Sequence, residues 1–325
     1  MSEVSAVLKL SATAFSLFGL VGSAVCAMAY LAFRNRLLAL DPATRARALA
    51  GWSSAPCLIA LALTGLCLLP LVLHLLGWPP THCLDNHLCL SHPHLSPDAA
   101  LGWGAFALIG FLGLSVAMTQ LHRLLGARRV LTALTLASRY DAHNGVHLVE
   151  SDWPIALTAG LRCPQVFVSS RLTTSLPADM LEVIFAHERA HARRRDGLKQ
   201  CLVGIASLTH LPWVRRRLRA DLALACEQAC DEEAALRVGD RLLVAQTLLA
   251  VERLFMGSTP PQALATAFAD SHVVERVEAL LADPVGRPRP VRRRYGWGAI
   301  GLITAILAVE PLHRLAETLL GLFGA

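Results

Sequence analysis

Three long stretches of this chain are apolar and uninterrupted by charge. No charged residue falls between Lys9 and Arg34. A second stretch runs from about Pro56 to Trp78, and a third from about Ala100 to Leu121. A helix needs about 20 apolar residues to cross a bilayer core. The pattern therefore predicts transmembrane helices at about 10–33, 56–78 and 100–121. The first run is too long for the apolar region of a signal peptide, and arginines follow it rather than a small-residue cleavage site. A fourth uncharged run begins at Tyr295 and stops before Glu310. Its rise of roughly 22 Å falls short of the roughly 30 Å hydrocarbon thickness. It spans only if Leu312 and His313 extend it; a helix lying in the membrane plane is the alternative.

Between the third and fourth runs the pattern turns amphipathic. GVHLVE at 145–150 and PQVFVSS at 164–170 read as short strands. SLPADMLEVIFAHERAHARRR reads as a helix, with Ser175 near its cap and Pro177 and Asp179 in its first turn. RADLALACEQACDEEAALRVG reads as a second long helix. CLVGIASLTHLPW at 201–213 is too short to span. It reads either as a helix covering the first amphipathic one or as a segment resting on the bilayer. RRRLR at 215–219 then touches anionic headgroups or forms a solvated basic face. The expected architecture is an α-helical membrane protein with four transmembrane helices and an inserted α+β domain. Its parts are a membrane region at 1–122 with an outer loop at 79–99, a catalytic-domain candidate at 123–294, and a final span with a short tail at 295–325.

Composition supports lipid over water as the solvent for part of the chain. Residues are 54% hydrophobic and 17% charged, against about 25% charged in soluble domains. The net charge of +6 is spread over short clusters, so no direct nucleic-acid partner is expected. Arginine placement sets the orientation. Arg34, Arg36, Arg45 and Arg47 follow the first span, Arg123, Arg128 and Arg129 follow the third, and five arginines from Arg287 to Arg294 precede the fourth. Residues 79–101 carry neither Lys nor Arg. The N-terminus is thus expected outside and 123–294 in the cytosol. In the outer loop, Cys83 and Cys89 are the candidate disulfide. The nearby His82, His87, His92 and His94 read as incidental to a stapled polar loop, ahead of a metal-sensing role.

Candidate chemistry concentrates in FAHERAHARRRD at 185–196. Met180, Ile184, His187 and His191 fall on one helical stripe. Two imidazoles one turn apart can meet a tetrahedral zinc, and Glu188 beside them can take a proton from a water at the metal. A shuffled chain of this composition would hold roughly 0.02 such motifs. A catalytic zinc takes a third protein ligand. His210, His272, the cysteines and downstream acids are the candidates. Glu227 and Asp231 share a helix face, so one carboxylate could reach the metal while the other orients a histidine ring; a solvated acidic face is the alternative. Cys226 and Cys230 read as core cysteines. His272, His210 and Tyr140 are candidates for stabilising the oxyanion of a hydrolysis. PQVFVSS is expected to offer an open edge to an extended substrate.

CPQVFVSSRLTTSLPADMLEVIFAHERAHARRRD, followed by EQACDEEA, resembles the BlaR/MecR-type membrane metallopeptidases. These are gluzincins with three spans, a cytosolic catalytic domain and a fourth span. The resemblance implies Zn2+ held by His187, His191 and Glu227, Glu188 as the catalytic carboxylate, and Asp231 as a supporting group. Asp196, after ARRR, matches the family's pattern as a helix-end anchor. It also implies the bacterial inner membrane, surrounding lipid, and a cytosolic protein substrate, foremost a winged-helix repressor cleaved in signal transduction. Antibiotic-sensing members carry a penicillin-binding domain beyond the fourth span; the sequence shows none after His313, so β-lactam sensing by that route is not expected. A more distant likeness to HtpX/Ste24-type proteases offers membrane-protein quality control as an alternative. A non-enzymatic membrane transducer is the other, disfavoured because the His–Glu–His–Glu set is intact.

Overall fold

The computed structural model describes residues 2–75, 100–256 and 272–282. The expected disulfide Cys83–Cys89, the histidine loop and the fourth apolar run lie outside the described residues.

Helices α1 (Ser2–Leu38) and α2 (Pro42–Leu75) form a hairpin. Asp41 turns the chain between them, its Oδ2 accepting the Thr44 amide at 2.8 Å, and Pro42 starts α2 where a missing N–H costs nothing. The segments Ala14–Leu38 and Pro42–Leu66 are long and apolar enough to cross a membrane. Phe18 packs between Ala14 and Ala60 where they run side by side. Helix α3 (Ala100–Ala137) continues well past residue 121, where the third span was expected to end. The expected domain boundary at 122–123 therefore falls inside one helix. No proline interrupts it, and Gly126 alone costs only about 1 kcal/mol.

α3 runs directly into a sheet of β1 (Ser138–Asp141), β2 (Val146–Val149), β3 (Ala156–Ala159) and β4 (Gln165–Ser169), in the order β1-β2-β4-β3. β2 and β4 are parallel; the outer pairs are antiparallel. This corrects the expectation for PQVFVSS. β4 is an inner strand, with Val166, Phe167 and Val168 all buried, and cannot add a substrate strand. A continuous apolar triplet is what a strand covered on both faces requires. The edge strands are β1 and β3, and the ALTA sequence of β3 carries little strand signal.

Short helix α4 (Ser170–Ser175) precedes α5 (Ala178–Arg194). Ser175 closes α4 instead of capping α5, and Pro177 occupies the α5 cap. Ser169 is the serine that caps here, accepting the Leu172 amide. Then follow α6 (Asp196–Ala206), a 3-10 turn (Ser207–Thr209), α7 (Pro212–Val238), α8 (Arg241–Met256) and α9 (Val273–Leu281). Gly239 ends α7 in the left-handed conformation, φ 81°, that glycine adopts without strain.

Two buried cores hold the helices together. One joins Tyr30, Leu49, Val203, Leu218, Leu222 and Cys226 across α1, α2, α6 and α7. Another fills the space between α5, α7, α8 and α9 with Val183, Ala186, Ala234, Val244 and Leu280. Polar contacts fix the register. Asp221 on α7 accepts from Tyr30 Oη at 2.5 Å and from Arg34 Nε and Nη2 at 2.9 and 2.7 Å. Arg45 on α2 donates to the Leu38 carbonyl and to Gln228, the residue after Glu227. Two arginines of the basic turn are therefore docking groups on α7. Asp221→Ala should destabilise this junction by about 2–3 kcal/mol, since a buried charged acceptor is lost. Thermal unfolding in detergent checks it; an unchanged Tm would show that the apolar core alone holds the hairpin.

Candidate metal centre

Helix α5 buries Val183, Ile184, Ala186 and Ala190, which fixes its rotation and turns His187 and His191 toward α7. Ala234 and Ala235 of α7 pack against Val183 and Ala186 of α5. These small residues let the two helices approach closely. Glu227 then reaches both imidazoles. Its Oε2 lies 3.4 Å from His187 Nε2, its Oε1 lies 3.4 Å from His191 Nε2, and the two Nε2 atoms are 3.1 Å apart.

Each ring is held from behind. His187 Nδ1 meets Asp231 Oδ1 at 3.0 Å, and His191 Nδ1 meets Asp196 Oδ2 at 3.0 Å. A carboxylate on Nδ1 takes the ring proton as its hydrogen bond and leaves Nε2 as a bare acceptor. With both rings neutral, two Nε2 lone pairs and a carboxylate converge with nothing to donate among themselves. A cation answers that arrangement. A tetrahedral ion with 2.0–2.1 Å bonds separates its ligand atoms by about 3.3 Å, and the observed 3.1–3.4 Å fits it.

Asp196 reaches His191 because Arg195 takes a left-handed conformation, φ 51°, and reverses the chain between α5 and α6. Lys199 Nζ, 2.5 Å from Asp196 Oδ1, balances its charge. Arg276 of α9 does the same for the other carboxylates. It donates to Asp231 through Nε at 2.8 Å and Nη2 at 2.7 Å, and its Nη1 lies 3.2 Å from Glu227 Oε2. Gln228 Nε2, donating to the Glu275 carbonyl at 2.9 Å, clamps α9 in place.

The electrostatics follow from these contacts. Burial opposes charge on either ring, but bonds from Asp231 and Glu227 raise His187 above its ordinary pKa. Those from Asp196, Cys230 and Glu227 raise His191 well above it. Burial also opposes ionising Glu227, yet the two histidines and Arg276 hold it well below the usual carboxylate range. Cys230 Sγ lies 3.3 Å from His191 Nδ1. Burial pushes its thiol up to about 11, and that of Cys226 up to about 12. Both are neutral thiols at neutral pH in the metal-free site.

Glu188 projects from the same helix with only 7% of its surface exposed. Its Oε2 accepts from Thr158 Oγ1 at 2.8 Å. Thr158 belongs to the edge strand β3, so the open edge and Glu188 flank one cleft. That cleft holds about 530 Å³ and reaches from β3 past the histidines to α8 and α9. His272 lines it at the start of α9.

Two sequence candidates lie elsewhere. His210 is buried against the hairpin, its Nε2 3.2 Å from the Trp52 carbonyl, so it serves the α2 junction rather than a metal or an oxyanion. Tyr140 sits on β1, at the opposite edge of the sheet from β3. Conversely, Thr158 and Arg276 join the site without a signal in the sequence, because neither lies in the HERAH helix or in α7. Replacing Thr158 with valine removes one hydrogen bond to a buried carboxylate, about 1.5 kcal/mol. Turnover of a fluorogenic peptide should slow about tenfold with KM little changed; an unaltered rate would show that Thr158 does not aim Glu188.

No curated protein and no solved structure matches the chain. The family described as BlaR1 peptidase M56 matches residues 101–280, a stretch that includes every residue of the cluster above. Together with two helices apolar enough to cross a membrane, this points to a membrane peptidase. The chain belongs to the BlaR1 peptidase M56 family.

Proposed function

We propose that the protein is an integral-membrane zinc endopeptidase that cleaves a cytosolic protein in signal transduction. The observation that carries this reading is the convergence of His187 Nε2, His191 Nε2 and a Glu227 oxygen, each ring backed by its own carboxylate. Those three side chains would hold the zinc, and Asp231 and Asp196 would keep the rings turned toward it. Zinc, when bound, polarises the scissile carbonyl and lowers the pKa of water there to about 7.

The remaining steps belong to the chain. β3 aligns an extended substrate by its free backbone edge. Glu188 takes a proton from the attacking water and passes it to the leaving amine. Thr158 keeps that carboxylate aimed across the cleft. His272 on the far wall is the candidate to stabilise the oxyanion.

The membrane placement follows the arginines: outer N-terminus, cytosolic catalytic domain, spans in α1, α2, the first part of α3 and the run after Tyr295, in the bacterial inner membrane. The side of the hairpin that carries Arg34 and Arg45 is the side that docks on α7, in keeping with this orientation. That docking also favours signalling over quality control, because a shift of α2 acts through Arg45 on the residue next to Glu227. The substrate we expect is a winged-helix repressor.

Purified wild-type protein should contain one equivalent of zinc and His187→Ala almost none; equal metal contents would remove the zinc site. Sequencing of new protein N-termini in cells making wild type or Glu188→Gln identifies the substrate. Cleavage confined to damaged membrane proteins would replace the signalling reading with the quality-control one.

A further inference from the structure

The segment from α6 into α7 has an outer face that the catalytic fold does not use. Leu202, Ile205, Leu208, Leu211 and Trp213 are all exposed there, between 36% and 57% of their surface. Val203, Val214 and Leu218 point inward and anchor the same segment to the hairpin core. On α7, Arg216 and Arg217 follow Trp213 at helical spacing, on one face with it, and Arg219 is exposed beside them. Large apolar side chains gathered on one surface normally mark an interaction site.

The position of this face identifies the partner. The 3-10 turn within it packs on α2, where His210 Nε2 meets the Trp52 carbonyl. Trp52 lies within the segment Pro42–Leu66 that is apolar enough to cross a membrane, four residues before the run that starts at Pro56. Its indole Nε1 donates to the Cys26 carbonyl of α1 at 3.2 Å, and its ring packs beside Tyr30. Interfacial tryptophan above leucines, with arginines at headgroup height, is the arrangement of a segment lying in a membrane surface.

We infer that this face, from Leu202 to Arg219, is embedded in the interface of the cytosolic leaflet and binds anionic lipid headgroups. The inference rests on the reading of α1 and α2 as membrane spans. The apolar side chains enter the acyl boundary, and Arg216, Arg217 and Arg219 pair with lipid phosphates. A consequence concerns the active site. α6 begins at Asp196, which holds His191, and carries the first residue of this face, Leu202, within the same helix. At 1.5 Å per residue Asp196 lies about 9 Å along the helix from Leu202. The cleft then accepts only chain segments that can approach the bilayer surface closely.

The test uses the full-length protein in vesicles of phosphatidylglycerol or phosphatidylcholine with brominated acyl chains. A genetically encoded fluorescent amino acid stands in place of Trp213 in one sample and in place of Val21, on α1, in another. Both should be quenched by bromine, position 213 most strongly when bromine sits near the headgroup end of the chain. The variant Arg216→Glu/Arg217→Glu/Arg219→Glu should lose quenching at 213 in phosphatidylglycerol while keeping it at 21 and keeping its zinc content. Quenching at 21 without quenching at 213 overturns the inference. If 213 is also shielded from aqueous iodide, a protein and not lipid covers the face, and the inference is equally wrong. Absence of quenching at both positions overturns the membrane reading of the hairpin itself.

Discussion

Glu188→Gln should abolish peptide cleavage while leaving the metal in place. The amide keeps the size and the hydrogen bond to Thr158 but cannot take a proton from water. General base catalysis of this kind contributes about 10²–10⁴-fold, so the residual rate should fall by that factor on any peptide the wild type cuts. The substitution touches none of the groups around the two Nε2 atoms. Zinc content by mass spectrometry should therefore equal that of wild type. Full activity in this variant would eliminate the proposed mechanism; loss of metal would show that Glu188 supports the site rather than the reaction.

The second large effect belongs to Arg276→Ala. Arg276 and Asp231 are 9% and 1% exposed, so removing the guanidinium strands a buried carboxylate. Breaking such a pair costs about 3–5 kcal/mol, and Tm should fall on the order of 10 °C. α9 loses its main polar tie to α7, and Glu227 loses a neighbouring cation. Stability and function can then be separated. Arg276→Met combined with Asp231→Leu removes the stranded Asp231 carboxylate and should recover most of the Tm. It leaves His187 Nδ1 without its partner, however, and zinc affinity should remain about 10–100-fold weaker. Calorimetry and metal competition with a chelator measure the two quantities on the same sample. Recovery of both would mean that Asp231 has no part in orienting the ring. Arg276→Lys should fall between, keeping the charge but not the two-pronged bond.

What was legible in the sequence has one property: it is local. Apolar runs predict the helices α1, α2 and the first part of α3 because crossing hydrocarbon demands a length and a composition, and neither depends on partners. His187, Glu188 and His191 fall together because one helical turn brings i and i+4 to one face. Glu227 and Asp231 share a face for the same reason, although only the packing of α7 on α5 decides that this face meets the histidines.

Every misplacement involved a choice that the fold makes at a distance. VFVS at 166–169 has the strand signal, but whether a strand is inner or edge depends on its neighbours, and weak ALTA takes the edge. His210 is as good a ligand type as His187, yet the hairpin buries it against Trp52. Arg276 sits in an ordinary amphipathic segment and acquires its role only when α9 folds back onto α7, 45 residues away in sequence. The sequence by itself thus determined two helices apolar enough to cross a membrane, the paired histidines and the acidic stripe, since periodicity and hydropathy are properties of neighbouring residues. Only the tertiary structure decided which carboxylate backs which ring, what aims Glu188, and how the membrane hairpin bears on α7. Those outcomes come from contacts between segments whose separate sequences carry no record of one another.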